Sequence, residues 1–300
     1  MIALFFYPFI IAVLVSSIVD LVRSIAVLVS SIVDLVRSIA DLVFGIADLI
    51  YNIVVFGRGG GRVAQFDYLW EGGPEFAQSK HFRFGTDAVL LGNYMNLTGA
   101  KKAIDLGCAS GVIALLMLAR SRTVHVTGLE INADAADLAA ENMAHNNLSE
   151  RSSILQGDIR KVRETLPAGS FDVVVSNPPY YALNTGRVSP DADRAAARGE
   201  VACTLDDLCA AASYLCRWGG RFAVVYRPDR LTELFTAMTG HGIEPKRMRI
   251  VCHDISSVPS LVLVEGIRGG KPGLKLEPVL LLKNPDGTDT EEIKRIYHRV

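Results

Sequence analysis

The chain has 300 residues, half of them hydrophobic, enough for one large domain with an appendage. Its formal net charge of −1, from 31 basic and 32 acidic residues, excludes the strongly basic signature of a protein that wraps duplex nucleic acid; any cationic surface is local. Five cysteines, at 108, 203, 209, 216 and 252, form neither CxxC pairs nor the even framework of a secreted scaffold, which favours reduced thiols in the cytoplasm, and no His/Cys cluster has metal-ligand spacing.

Residues 11–24 read IAVLVSSIVDLVRS, and residues 25–38 repeat the same fourteen letters. A degenerate third copy, IADLVFGIADLIYN, fills 39–52. Isoleucine at 11, 18, 25, 32, 39, 46 and 53 and leucine at 14, 21, 28, 35, 42 and 49 make one stripe on a helix, with Asp20, Arg23, Asp34, Arg37, Asp41 and Asp48 off it. The pattern predicts an apolar helical tail over 1–56. Three roles are open for it: an oligomerisation or membrane-surface segment, a spanning anchor, or a passenger added by duplicated DNA or a misplaced start codon. Residues 2–19 carry no charge, yet Pro8 interrupts them and no basic residue precedes them. Gly57, Gly59, Gly60 and Gly61, beside Arg58 and Arg62, make 57–63 a flexible linker, and the main domain is expected over 64–300.

Beyond the linker, short β-branched runs alternate with helical stretches. Strands are expected at 102–106, 123–130, 152–156, 171–176, 220–226, 246–253 and 260–267. Helices are expected at 111–120, 133–147, 204–217 and 229–240, with Asp206 and Asp207 at one N-terminus and Gly219 and Gly220 at the exit. This alternation predicts an α/β fold: a doubly wound, mostly parallel, seven-stranded sheet covered on both faces. Ligands of such sheets bind beyond the carboxyl ends of the strands.

Four strand ends carry candidate chemistry. The first reads DLGCASG, residues 105–111, where Gly107 and Gly111 allow a tight turn before a helix N-terminus. The second ends in Glu130, twenty-five residues after Asp105, near the spacing at which an acidic group meets ribose hydroxyls. Gly157 and Asp158 follow the third, where the base of a nucleoside would lie. The fourth, FDVVVS, runs into Asn177, Pro178, Pro179 and Tyr180; a proline pair ends a buried strand at a fixed point.

These residues resemble the class I S-adenosylmethionine-dependent methyltransferases with a Rossmann-like fold, and among them those with an NPPY motif. FRFGTDAVLLGNY (82–94) and the distal LVLVEGIRGGKPGLKLEPVLLL (261–282), with Tyr297, are similar to the bacterial valine-tRNA adenine-N6 methyltransferases. The likeness runs from about residue 64 to the end. One departure is Ala109, where that fold usually has glycine.

The resemblance implies S-adenosylmethionine as cofactor, RNA, most simply a tRNA, as substrate, and no metal. It implies that Asp105 with the backbone at Gly107, in the turn closed by Gly111, holds the methionine part. Glu130 takes the ribose hydroxyls, and Asp158 with the Ile159 N–H takes the adenine. Asn177, Pro178 and Tyr180 are then catalytic: the Asn177 side-chain carbonyl and the Pro178 main-chain carbonyl accept the N–H groups of an exocyclic amine, and Tyr180 stacks on its base. Tyr181 is a secondary candidate for that surface, and Asp87 either caps the following helix or lies over the site. Lys271, with Lys246, Arg247, Arg249, Arg268, Lys275 and Lys283, offers cations for an RNA backbone. The polar stretch 184–200 is expected to close over substrate. The same amide-holding chemistry serves protein glutamine-N5 and rRNA guanine-N2 methyltransferases, and a scaffold working through the N-terminal helix, at a membrane or by self-association, is the non-enzymatic alternative.

Overall fold

The computed structural model describes residues 66–78, 85–178 and 203–299, all within the unit Ala64–Val300. The tail over 1–56, the linker over 57–63, Tyr180, Tyr181 and the stretch 184–200 lie outside the described residues. So do any membrane-associated or self-associating roles of the tail. No helix among the described residues is long and apolar enough to cross a membrane.

A short antiparallel hairpin, β1 (Phe66–Tyr68) and β2 (Glu75–Ala77), precedes α1 (Thr86–Tyr94). The main sheet then alternates with helices: β3 (Lys102–Leu106), α2 (Val112–Arg120), β4 (His125–Glu130), α3 (Ala133–His145), β5 (Ser152–Gln156), α4 (Val162–Thr165) and β6 (Phe171–Ser176). Next come α5 (Leu205–Leu215), β7 (Cys216–Tyr226), α6 (Leu231–Gly240), β8 (Ile243–Cys252) and β9 (Pro259–Arg268). These strands lie in the order β5-β4-β3-β6-β7-β9-β8, with β9 antiparallel to both neighbours and the others parallel. The expected seven-stranded, mostly parallel sheet is present. Two two-residue strands, β10 (Lys275–Leu276) and β11 (Leu280–Leu281), extend it at β8 before the closing helix α7 (Glu291–Ile296).

The double winding follows from period-two alternation along buried strands. On β6, Val173 and Val175 join a core with Leu90 and Leu91 of α1 and Leu115 and Met117 of α2. Val174 joins the opposite core, with Leu208 and Leu215 of α5 and Leu234 and Met238 of α6. A strand buried on both faces reads as a continuous apolar run, as VVV does here.

One local expectation needs correction. Gly219 and Gly220 lie within β7, not at the exit of α5. The register jumps from Phe171↔Cys216 to Val173↔Arg221, so Gly219 (φ 73°) serves a bulge that an L-residue would strain. Asp206 and Asp207 fall in the first turn of α5, as expected; Thr204 is its cap and forms with Asp207 a reciprocal capping box, while Asp206 pairs with His241 at 2.8 Å. Of the three cysteines around α5, Cys203 is exposed, and Cys209 and Cys216 are buried.

Candidate functional site

The ends of β3, β4, β5 and β6 meet at one edge of the sheet because these strands are parallel neighbours in register. Asp105 stands beside Gly128 on β4 and Val175 on β6. The Ser176 hydroxyl donates to the Leu106 carbonyl at 2.8 Å, tying the rim of β6 to the start of the glycine turn. Asn177 and Pro178 follow directly.

The turn after β3 is built from its own backbone. Gly107 and Cys108 both donate to the Leu129 carbonyl, at 2.8 and 3.1 Å, and Gly111 donates back to Cys108 at 2.8 Å. Gly111 (φ 86°) is left-handed, and a Cβ there would stand 3.1 Å from both Ala139 Cβ and Met143 Cε on α3. Only glycine satisfies both conditions. Glu130 holds the turn from outside: its Oε2 accepts the Ala109 N–H at 2.9 Å, and its Oε1 accepts the Asn132 N–H at 2.9 Å. The carboxylate expected to meet ribose hydroxyls thus also anchors the loop beneath it, keeping lone pairs for further donors.

Ala109 pays a conformational penalty in this turn, since its φ of 47° is left-handed. That costs an L-residue about 1–2 kcal/mol, of which glycine's freedom in the unfolded chain takes back about 0.5–1 kcal/mol. Ala109→Gly is therefore expected to stabilise the protein by up to about 1 kcal/mol, read from denaturant unfolding without change in slope.

Asn142, in the last turn of α3 and fully buried, was not foreseen. Its Nδ2 donates to the Ala77 carbonyl at 3.0 Å and to the Ser110 carbonyl at 2.9 Å, and its Oδ1 accepts the Ala77 N–H at 2.8 Å. One side chain thereby joins the β1–β2 hairpin to the glycine turn. The available signal was a poor helix former, Asn, on the apolar face of ADAADLAAENMAH. Asn142→Ala leaves three backbone groups without partners, at about 1–3 kcal/mol each. A loss of about 3 kcal/mol or more in stability, with weaker cofactor binding through Ser110, is expected by denaturation and calorimetry.

Asp105 is 1% exposed, and neither of its carboxylate oxygens has a hydrogen-bond partner. Burial first, then the charge of Glu130, push its carboxyl up to about 8. A buried acid without partners at a ligand-facing strand end fits a site for a cationic group. Nearby Cys108 is inert as a nucleophile, since burial and the two carboxylates raise its thiol well above the ordinary range.

Asp158 caps the turn beginning at Ile159 by accepting the Arg160 N–H at 2.9 Å. The Arg160 guanidinium grips the same carboxylate at 2.6 Å and holds it below the usual carboxylate range. Ile159 Cδ1 comes within 3.9 Å of where a Cβ on Gly107 would stand, so the Asp158 and Gly107 turns share one wall.

At the opposite wall, Asn177 Nδ2 donates to Asp87 Oδ2 at 3.0 Å. Asp87 Oδ1 accepts the Ala88 N–H at 2.9 Å, and the N-cap of α1 is Gly85, without a side-chain cap. Asp87 thus bonds both to the first turn of α1 and to Asn177.

Lys271 is not brought to this rim. It follows Arg268, the end of β9, and β9 runs opposite to its neighbours, so Lys271 lies at the far edge of the sheet. Antiparallel direction is what the strand pattern alone cannot reveal. Three other expected cations are held by carboxylates: Arg247 by Glu265 and Glu277 at 3.5 and 3.4 Å, Arg249 by Glu292 at 2.6 Å, and Lys283 by Asp289 at 2.7 Å. Among the described residues no group of three or more His, Cys, Asp or Glu side chains could hold a metal ion.

Residues 78–191 match the family model of the methyltransferase small domain. A protein from Tolumonas auensis is 30% identical over 211 residues, covering 70% of this chain and 86% of the relative. A protein from Yersinia enterocolitica is 37% identical over 153 residues, covering 51% of this chain and 60% of the relative. Each of these relatives is named tRNA1(Val) (adenine(37)-N6)-methyltransferase. In fold, the chain is similar to the crystal structure of a protein from Agrobacterium tumefaciens described as a predicted O-methyltransferase. The TM-score is 0.59 at 21% identity, over 71% of this chain and 96% of that one.

Proposed function

The chain belongs to the family of the tRNA1(Val) (adenine(37)-N6)-methyltransferases, and from that premise we propose that it methylates the exocyclic N6 of an adenine in a tRNA anticodon loop. It is an S-adenosylmethionine-dependent methyltransferase, and its substrate is RNA. We assign the activity to the cytoplasm, where tRNA is found.

One observation carries the site assignment: the buried, partnerless Asp105 carboxyl lies on the strand next to the one that leads into Asn177. Asp105 and the turn at Gly107 and Gly111 would hold the methionine part of the cofactor, Glu130 the ribose, and Asp158 with Ile159 the adenine. When bound, S-adenosylmethionine supplies a methyl group on a positively charged sulfur.

The protein's own work is at the amine. The lone pair of an exocyclic amine is delocalised into its ring, so it is a poor nucleophile until the nitrogen is drawn out of plane. Asn177 and the Pro178 carbonyl would each accept one of its N–H groups, which aims the lone pair toward the cofactor. The prolines keep the second acceptor rigid, and Tyr180, with Tyr181 beside it, would offer the base an aromatic face worth about 1–3 kcal/mol.

Purified protein incubated with tritium-labelled S-adenosylmethionine and bulk tRNA, rRNA and cell protein tests the reading. Label in tRNA, recovered by mass spectrometry as N6-methyladenosine, is the expected result. Label confined to protein glutamine or to guanine of rRNA would overturn it.

A further inference from the structure

Asp87 and Asn177 lie ninety residues apart, on the first turn of α1 and just beyond β6, yet their side chains bond at 3.0 Å. The two ends of a carboxamide are alike in shape and opposite in hydrogen-bond sense. Offered to an amine, the oxygen end accepts an N–H, whereas the NH₂ end competes with it. An ionised carboxylate only accepts, so at this distance it admits the NH₂ end of Asn177 and rejects the oxygen end.

We propose that Asp87 is a positioning residue: by capturing Nδ2 of Asn177 it fixes the carboxamide in the one orientation that turns the accepting oxygen toward the amine to be methylated. The inference rests on the function proposed above and adds to it the device that prepares the acceptor.

The surroundings of Asp87 suit this role. Its other oxygen is held by the Ala88 N–H at 2.9 Å, so the carboxylate is gripped from both sides. Ala88, Val89, Leu90 and Leu91, the next four residues of α1, are buried in the core and make the helix a firm base. A Cβ on Gly85 would stand 2.5 Å from Asp87 Oδ1, while the φ of Gly85, −103°, is open to any residue. Glycine at 85 is thus a matter of room for the carboxylate. Asp87 and Asn177 are each half-buried, at the rim rather than in the core. A bond so placed contributes less to holding the fold than to aiming a side chain.

An exchange of the two groups tests the proposal. Asp87→Ala is expected to lower kcat for tRNA methylation about 10- to 100-fold, with the calorimetric affinity for S-adenosylmethionine unchanged. Asn177→Asp sets two carboxylates against each other at the same spacing and is expected to lose at least about 100-fold. The double variant Asp87→Asn with Asn177→Asp restores a donor facing an acceptor with the roles reversed, leaving the second carboxylate oxygen for the amine. It should recover at least about tenfold over Asn177→Asp alone, the non-additivity expected of groups that act as a unit. A double variant no better than Asn177→Asp, or an Asp87→Ala enzyme with the wild-type kcat, overturns the inference. A wild-type protein that leaves tRNA unmodified in the same assay overturns instead the function on which it rests.

Discussion

Asn177→Ala is expected to lower methyl transfer to tRNA by at least about 100-fold while cofactor affinity stays within about twofold of wild type. On the proposed mechanism the variant removes a side-chain acceptor and leaves the Pro178 carbonyl, so one N–H of the amine would still be held and the nitrogen would be only half prepared. Losing one preorganised polar partner at a reacting centre costs about 2.7–4 kcal/mol in well-characterised cases, which is the origin of the figure. Stability should hardly move. Asn177 is half-buried beyond the end of β6, and the strand end itself is fixed one residue earlier by the Ser176 hydroxyl on Leu106. Single-turnover transfer of tritium, calorimetric binding of S-adenosylmethionine and a thermal melt separate the three quantities. A variant that keeps more than a tenth of wild-type transfer would remove Asn177 from the chemistry, and one that loses cofactor binding to the same extent would make its role structural.

Why these positions were legible in the sequence, and others not, has a physical basis. Parallel strands buried on both faces leave unbroken apolar runs, and where such a run stops, the residue after it is at the ligand edge. FDVVVS stops just before Asn177 and KAIDL just before Gly107, and β3, β5 and β6 span 102–106, 152–156 and 171–176, as expected. Contacts between side chains distant in sequence leave no such periodic trace. Asn142 reaches back 65 residues to Ala77, and Asp87 reaches forward 90 to Asn177; in each case the chain shows only a polar residue in or beside a helix. The placement of Lys271 was hidden for a related reason: its basic neighbourhood is visible, but strand direction in β9 decides which edge it occupies. The β1–β2 hairpin, β10 and β11, at two or three residues per strand, are too short to display a period of two.

Wild-type protein is expected to bind S-adenosylmethionine more tightly as the pH is raised from 6 to 8, and Asp105→Asn to bind more weakly with that slope removed. The carboxyl of Asp105 has its folded value raised to about 8 by burial and by Glu130, from an ordinary 3.8. The Ala114 N–H, close to the carboxyl but outside hydrogen-bond geometry, offsets only part of that rise. Without a ligand, then, the folded protein retains a proton that the unfolded chain gives up, and stability falls as the pH rises from about 4 to about 8, by a few kcal/mol at most. The contribution of this group is fully present below the unfolded value and lost above the folded one. A cationic group placed beside Asp105 favours the ionised form, so binding expels the proton and becomes easier as the solution takes it up. The slope is bounded by about tenfold per pH unit, and about ten- to thirtyfold in affinity between pH 6.5 and 8 is the expected range. Cys108 cannot supply this dependence, because its thiol is displaced upward, out of the window. Calorimetry at pH 7 in two buffers of different ionisation enthalpy counts the protons directly: close to one should leave per cofactor bound in the wild type and none in Asp105→Asn. Thermal melts of the cofactor-free proteins give a second, independent reading, in which Asp105→Asn gains on the wild type as the pH climbs from 5 to 8.5. Equal proton release by both proteins, or parallel melting curves across that range, would mean that the carboxyl is already ionised and neutralised in the fold, and the cofactor would then have to be held by other groups.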